Sequence, residues 1–353
     1  MIKYIGSKRR LVPVLGDLLS RARASTSLDL FTGTTRVAQE WKRRGAHVTA
    51  VDSARYSAVL AECYIGTDAE QVDRAELESA VSRLQDLPGI DGYVTQTFSR
   101  TARYFQESNA RRIDAIRDAI EAEWAGHPFR PLLLASLLLA ADRVDSTTGL
   151  QMAYLKQWSP RSYQPLLLRV PDLLVGTGAV WRGDATEVVP RLPEVDLAYL
   201  DPPYNQHRYE GNYHVWETLM AWDAPEHYGV ACKRIDLRDK DGGSVFNRRR
   251  EAPEAMARLL SRIRAEVVVV SASDEGWILL DDLMDMVSGR GRVKVLAFDS
   301  RRYVGAQIGI HNLRGEKVGR VGRTRNTEYL IVAGPAAKVS RMSAGYPTLE
   351  RAG

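Results

Sequence analysis

The stretch from residue 28 to residue 52 constrains the fold of this chain more than any other part of the sequence. A short apolar run ends at Phe31, a tight turn contains Gly33, a helical pattern covers residues 37–44, and a β-rich run ends at Asp52. Strand, turn, helix and strand in this order form a βαβ unit, which places two parallel strands side by side. The sequence therefore predicts an α/β domain built on a mostly parallel sheet.

The carboxylate of Asp52 follows the glycine turn at a spacing of about 20 residues, which is typical of nucleoside-binding doubly wound folds. In those folds the acidic group binds ribose hydroxyls; the alternative is that Asp52 only caps the next helix. The turn lacks a complete G-x-G-x-x-G pattern, because Thr34 and Thr35 stand where a second glycine would be expected. A pyrophosphate needs close backbone approach, so this turn suits a ligand without phosphates, such as S-adenosylmethionine, better than NAD.

A second strand pattern, over residues 195–200, ends abruptly at Asp201-Pro202-Pro203-Tyr204. Proline fixes φ and has no N–H, so two prolines end the strand, while their carbonyls still accept hydrogen bonds. A carboxylate, an outward-facing carbonyl and a flat ring suit an exocyclic amino group on a heterocycle, which indicates chemistry on a nucleobase nitrogen. Taken alone, the same four residues also fit an ordinary turn with a solvated aspartate.

The composition of the 353 residues is typical of a soluble globular protein, with 44% apolar and 26% charged residues. The net charge of +5 is compatible with an anionic partner. Cys63 and Cys232 follow no metal-ligand spacing and are expected to be free thiols in a reducing cytosol, so we predict a cytoplasmic protein without a metal site. No stretch is apolar for long enough to span a membrane, and no signal peptide is expected at the start.

The rest of the sequence divides into segments of different character. Residues 68–178 have mostly helical patterns, including an almost uniformly apolar helix over residues 132–139. Three consecutive arginines, residues 248–250, are typical of a solvated surface, and phosphate contact is the alternative. The residues from 336 onward are expected to form a loose tail. Further strands are predicted over residues 179–182, 267–270, 293–298 and 329–332.

Four separated pieces of the sequence carry a family resemblance when they are taken together. They are Lys3-Tyr4-Ile5-Gly6-Ser7-Lys8, Asp29-Leu30-Phe31-Thr32-Gly33-Thr34, Asp52 and Asp201-Pro202-Pro203-Tyr204. In this order they resemble the Dam-like family of adenine-specific DNA methyltransferases, and their joint occurrence is far more specific than any single motif. The resemblance covers most of the chain and is weakest over residues 68–178 and 225–265.

The resemblance implies a Rossmann-like methyltransferase fold of the α/β class. In that fold a mixed, mostly parallel sheet carries helices on both faces, with a helical insertion. The expected segments are a catalytic core over residues 1–67, 179–224 and 266–335, a helical insertion for target recognition over 68–178, a basic loop or helical segment that is a candidate for DNA contact over 225–265, and a tail over 336–353.

The resemblance also implies S-adenosylmethionine as methyl donor and a flipped adenine in double-stranded DNA as acceptor. Tyr4 and Lys8 would lie near the methionine end of the donor, Asp52 would hold the ribose hydroxyls, and Asp184 would lie by the donor's adenine. The donor-binding turn would contain Asp29, Phe31, Gly33 and Thr34. Thr35 departs from the glycine-rich pattern that is usual at this turn. The implied acceptor residues are Asp201, Pro202 and Tyr204 for catalysis, and Pro203, Asn205 and Tyr209 for DNA contact. The basic run Arg248, Arg249 and Arg250 is a further candidate for DNA contact because of its charge.

The chemistry expected at the acceptor site follows from the electronic structure of adenine. The lone pair of N6 is delocalised into the ring, so N6 is a poor nucleophile. If Asp201 and the Pro202 carbonyl accept its two N–H bonds, the nitrogen becomes more pyramidal and the developing charge is stabilised. Tyr204 would stack on the extruded base.

Three other functions remain compatible with the sequence. The acceptor would then be an RNA adenine or a protein glutamine amide, or the chain would be a DNA-binding subunit that has lost catalysis. Asp201 in place of an asparagine, together with the basic loops, favours DNA. A cognate restriction endonuclease is the expected partner if the protein belongs to a restriction–modification pair.

Overall fold

The computed structural model describes residues 2–3, 8–205, 209–239, 243–301 and 325–349. Ten strands are found in this part of the chain. They are β1 (Thr26–Leu30), β2 (His47–Asp52), β3 (Gly178–Arg182), β4 (Val195–Leu200), β5 (His227–Tyr228), β6 (Lys233–Arg234), β7 (Ala265–Ser273), β8 (Arg292–Arg301), β9 (Arg325–Gly334) and β10 (Thr348–Leu349).

The main sheet contains eight of these strands in the order β10-β8-β9-β7-β4-β1-β2-β3. Within the run β7-β4-β1-β2-β3, each neighbouring pair of strands is parallel. Strand β9 runs antiparallel to β7 and to β8, and β10 is antiparallel to β8. Strands β5 and β6 form a separate two-stranded ribbon. The predicted Rossmann-like sheet, mixed and mostly parallel, is confirmed.

The described α-helices are connected by short π-helical and 3₁₀ segments. The α-helices are α1 (Val12–Ala22), α2 (Arg36–Arg43), α3 (Arg55–Ala61), α4 (Arg74–Gln85), α5 (Tyr93–Thr95), α6 (Glu107–Trp124), α7 (Arg130–Val144), α8 (Ala185–Val188), α9 (Tyr209–Asn212), α10 (His214–Ala221), α11 (Ala252–Arg262), α12 (Leu280–Ser288) and α13 (Ala336–Ser343). The π-helical turns are Glu62–Gly66 and Gln96–Thr101, and the 3₁₀ segments are Ala69–Gln71, Pro160–Tyr163, Val189–Arg191, Ile235–Arg238 and Val245–Asn247.

Alternate side chains of the parallel strands pack against helices on opposite faces of the sheet, as the two-residue period of a strand requires. On β4, Leu197 and Tyr199 are buried with side chains of α1, α2 and α13. Ala198 and Leu200 are buried on the other face with side chains of α8, α11 and α12. Because both faces are covered, the strands consist of nearly continuous apolar residues.

The helices between β2 and β3 form a third apolar cluster that includes side chains of the sheet-flanking helices. Helices α4, α6 and α7 pack with Tyr56 of α3 and Trp216 of α10. The fully buried guanidinium of Arg117 on α6 donates from Nε to the carbonyl of Leu219 at 2.8 Å and from Nη1 to Glu121 at 2.7 Å. Division of the chain into a core and an insertion stays a prediction, because this cluster contains residues from both.

Among the described residues, none of the helices is both long and apolar enough to cross a lipid bilayer. Cys63 and Cys232 are buried free thiols. In the same part of the chain, histidine, cysteine and carboxylate side chains form no group of three or more suited to hold a metal ion.

The prediction of a loose tail from residue 336 is wrong for residues 336–349. Helix α13 packs on α1 and buries Val339 and Met342 completely, and β10 pairs with β8. Tyr346 donates a hydrogen bond to Asp17 of α1 at 2.6 Å. The segment is short, and its two buried anchors have no clear signature in the sequence, because they gain stability only against α1 and the sheet.

We expect the substitution Met342→Ala to lower the free energy of unfolding by about 2–5 kcal/mol, because it removes a fully buried side chain and leaves a cavity. Ser340→Ala, at an exposed position of the same helix, is the control and should change stability by less than about 0.5 kcal/mol. Urea unfolding followed by circular dichroism measures both. Equal stability of the two variants would contradict the docking of α13.

Candidate active site

The turn that follows β1 has an unusual backbone. Phe31, Gly33 and Thr35 all have positive φ, at 65°, 53° and 61°. This region favours glycine, so the non-glycine residues store strain of the kind that clusters at ligand sites. Phe31 and Thr35 therefore adopt a left-handed conformation in which glycine is the usual residue. The N–H of Gly33 donates to Oδ2 of Asp52 at 2.8 Å, which ties the turn to the end of β2.

Asp29 holds this turn from inside the protein. Its Oδ2 accepts a hydrogen bond from the Thr32 hydroxyl at 2.8 Å and one from the Ala38 N–H at 3.2 Å. The side chain is buried, and burial raises its pKa to about 7, although the hydrogen bond from Thr32 opposes the rise. The negative charges of Asp201 and Asp52 raise it further. Asp29 therefore stabilises the conformation of the turn through these two hydrogen bonds.

A cavity that opens to solvent lies at the carboxyl ends of β1, β2 and β4. The cavity brings together residues from the predicted donor and acceptor motifs. The predicted site residues that line it are Phe31, Asp52, Asp184, Asp201, Pro203 and Tyr209.

Asp52 and Asp184 each combine a local backbone role with a position on the cavity wall. Oδ1 of Asp52 accepts from the N–H of Ala54 at 3.0 Å, which supports the start of α3. Burial raises the pKa of Asp52, and its backbone hydrogen bonds oppose that shift. Asp184 is the N-cap of α8 and accepts from the N–H of Thr186 at 2.8 Å. The helix-capping alternative and the ligand-binding hypothesis are therefore compatible for both residues.

The acceptor motif is held by Lys8. The Lys8 ammonium lies 3.1 Å from Oδ1 of Asp201 and donates a hydrogen bond to the hydroxyl of Tyr204. The Tyr204 hydroxyl in turn donates to the same Oδ1 at 2.6 Å. Lys8 also lies 3.6 Å from Glu328 and 4.8 Å from the centre of the Tyr204 ring. Lys8 thus contacts the acceptor residues, and its place near the donor's methionine end stays a prediction.

Burial and opposite charges together set the ionisation of Lys8 and Asp201. Burial lowers the pKa of Lys8, but Asp201, Tyr204 and Glu328 outweigh it, and the pKa lies well above its usual value. Burial raises the pKa of Asp201, and the Lys8 charge opposes that rise. The Lys8 ammonium is therefore protonated at neutral pH, and it favours the ionised form of Asp201.

Sequence reasoning missed the role of Glu328. This residue lies on β9, whose antiparallel pairing places it opposite Ser273 at the carboxyl end of β7. The phrase Asn326–Leu330 resembles the family weakly, and this was the only signal that could have pointed to Glu328.

The remaining predicted residues occupy different surroundings. Tyr4 lies outside the described residues, and Thr34 lines a neighbouring cleft instead of the main cavity. The carbonyl of Asn205 accepts from the side chain of Asn247 at 2.7 Å, which joins the acceptor loop to the basic segment. Arg248 pairs with Glu251 at 3.1 Å. Arg249 and Arg250 are exposed close by.

Comparison with known proteins agrees with these observations. A family model described as D12 class N6 adenine-specific DNA methyltransferase matches residues 4–260. The chain is 30% identical over 318 residues to the type II methyltransferase M.CviAII of Paramecium bursaria Chlorella virus 1, which covers 86% of this chain and 92% of that protein. It is 28% identical over 319 residues, with the same coverage, to the type II methyltransferase M.NlaIII of Neisseria lactamica. The modification methylase StsI of Streptococcus sanguinis is 29% identical over 325 residues, covering 86% of this chain and 49% of that protein.

The raised pKa of Asp29 predicts a specific dependence of stability on pH. Because the folded protein retains this proton up to about pH 7, the stabilisation relative to Asp29→Asn is full below about pH 4 and is lost as the pH rises towards 7. The difference in unfolding free energy should change by up to about 4 kcal/mol over that range. Urea unfolding of both proteins from pH 4 to 8 measures it, with the exposed Asp281→Asn as control. Parallel profiles for wild type and Asp29→Asn would rule out the raised pKa.

Proposed function

This chain belongs to the D12 class of N6 adenine-specific DNA methyltransferases, and we propose that it moves a methyl group from S-adenosylmethionine to N6 of an adenine flipped out of duplex DNA. As a member of that class it is an adenine-specific DNA methyltransferase of the restriction–modification type. One observation supports the proposed chemistry above all. Asp52 and Asp184 share a single cavity with Asp201, so a nucleoside donor and an amino acceptor would meet inside it.

We assign the donor side of the cavity to Asp52, Asp184 and Phe31. The carboxylate of Asp52 suits the ribose hydroxyls, Asp184 suits an exocyclic amino group, and the Phe31 ring offers an apolar surface. S-adenosylmethionine supplies a methyl group on a positively charged sulfur. The carboxylates of Asp52 and Asp201 lie close enough to Asp29 to raise its pKa. This cluster of carboxyl groups favours a cation nearby.

On the acceptor side, the contacts of Asp201 leave one of its oxygens for the substrate. Lys8 and Tyr204 both bind Oδ1, and among the described residues Oδ2 has no hydrogen-bond partner. Oδ2 can therefore accept an N–H of adenine N6 while the Pro202 carbonyl accepts the second. Both acceptors stabilise the positive charge that develops on N6 as the methyl group arrives. The Tyr204 ring is the surface on which the flipped base would stack.

Lys8 acts in this scheme as a positioning residue. Its ammonium holds Oδ1 in place and favours an ionised Asp201, which accepts hydrogen bonds better than a neutral carboxyl group. A proton must leave N6 after transfer. The protonated Lys8 cannot take it, so Asp201 or solvent receives it.

Duplex DNA with an extruded base remains the proposed substrate form, because N6 is inaccessible to a buried carboxylate while the base is stacked. A cognate restriction endonuclease is the proposed partner, since the similar proteins carry the names of type II and modification methylases. Arg249 and Arg250 are exposed next to the acceptor loop and are the proposed phosphate contacts of this segment.

We expect the wild-type protein to produce N6-methyladenine at one sequence motif when it is expressed in a bacterial host free of DNA methylation. Asp201→Ala should abolish the modification, because the remaining carbonyl cannot activate N6 alone. Asp282→Ala, an exposed carboxylate on α12, is the matched control and should leave the modification unchanged. Sequencing that detects modified bases gives the readout. If the DNA stays unmodified while RNA or protein is methylated, the acceptor is RNA or protein instead of DNA.

Removal of the Lys8 charge should shift the pH dependence of methylation. In Lys8→Met the Lys8 charge no longer opposes the effect of burial, so the pKa of Asp201 rises further and the acid limb of kcat moves to higher pH. Lys338 of α13 pairs with Glu266 of β7. Lys338→Met removes that ammonium and should leave the acid limb in place. Methyl transfer is measured with saturating donor and DNA from pH 5 to 9. A lower rate with an unmoved acid limb would show that Lys8 does not control Asp201.

A further inference from the structure

A second cleft, separate from the cavity of the active site, is lined by four arginines. It lies between the start of α2, the end of α7 and residues 169–172 and opens to solvent. We call it the arginine cleft and define it by Arg36, Arg43, Arg143 and Arg169. Thr34 also lines it, so the cleft adjoins the turn between β1 and α2.

The positive charges of the arginine cleft are not neutralised by the surrounding protein. Within the described ranges, none of the four guanidinium groups takes part in an ion pair. Arg43 donates to the side-chain carbonyl of Gln39 at 3.2 Å, and Arg143 donates to the backbone carbonyl of Leu167 at 2.7 Å. The cleft wall includes a single carboxylate, that of Asp172, among the residues that line it.

Burial and neighbouring positive charges destabilise the charged form of two of the arginines, and a bound anion would stabilise it. The Nε of Arg36 is buried and has no hydrogen-bond acceptor in the described part of the chain. Burial lowers the pKa of Arg36, and the charge of Arg9 lowers it further. Burial and the neighbouring Arg169 lower the pKa of Arg143 in the same way. Like charges kept together, with a buried donor unused, are typical of a site for a negatively charged ligand.

We infer that the arginine cleft binds phosphate groups of the DNA backbone next to the target adenine. The inference rests on the proposed function, since it takes duplex DNA as the substrate. Guanidinium groups bind phosphate oxygens in pairs of parallel hydrogen bonds, and four of them on two walls match successive phosphates better than one small anion. Thr34 of the cleft and Phe31 of the active-site cavity belong to the same turn after β1, so a strand held in the cleft would pass beside that turn.

The test measures how salt affects binding of a fluorescent duplex to the full-length protein. Each phosphate contact contributes about 0.9 to the slope of log Kd against log salt concentration. Arg143→Gln together with Arg169→Gln should reduce that slope by about one to two, and Arg169→Gln alone by about one. Arg169 is exposed, so the single variant keeps the test valid if the double variant unfolds. Arg74→Gln, an exposed arginine on α4, is the matched control and should leave the slope unchanged.

Other occupants of the cleft predict different results. If folded variants keep the wild-type slope but lose binding of inorganic pyrophosphate in calorimetry, the cleft takes a free phosphate compound and the inference is wrong. The inference is also wrong if the variants lose S-adenosylmethionine binding with an unchanged slope. It is equally wrong if the substitutions change the binding of none of these ligands. Methyl incorporation by the wild type is measured in parallel. If the variants reduce the slope but the wild type does not methylate adenine, phosphate binding in the cleft is supported and the proposed function is contradicted.

Discussion

The buried ion pair between Lys8 and Asp201 is the interaction on which the site depends. It joins the segment before α1 to the end of β4, and Glu328 extends it to β9. Removing one member of such a pair leaves an uncompensated buried charge, which typically costs about 3–5 kcal/mol. The same pair directs one oxygen of Asp201 towards Lys8 and Tyr204 and leaves the other for a substrate. Stability and chemistry therefore share one group of side chains.

The turn after β1 contains one glycine, where a glycine-rich pattern is usual at such turns. Phe31 and Thr35 adopt the left-handed conformation without being glycine, at an energetic cost that the surroundings must offset. Asp29 holds the turn from the protein interior, and Asp52 holds it from the end of β2. The two carboxylates make the strained turn the preferred conformation, and the cavity lies directly beside it.

The sequence predicted the parts of the fold that depend on local pattern. The strands around Phe31, Asp52 and Asp201 were recognisable because each combines an apolar run with a residue that ends it. The pattern of α13 was not recognisable, since only Val339 and Met342 are anchored and their partner α1 is more than 300 residues away in sequence. The sequence did not indicate the contacts of Lys8 with Asp201 and Glu328. They depend on the tertiary structure, which brings residues 8, 201 and 328 together.

By itself, the sequence determined the α/β class, the family and the two motifs that supply carboxylates to the site, because each of these depends on residue types at short spacing. Only the tertiary structure decided that Lys8 neutralises Asp201, that Glu328 joins them, and that four arginines face one cleft. Those relations arise where strands and helices far apart in the chain meet. The physical reason is that charge pairing depends on distances in space, which spacing along the chain does not encode.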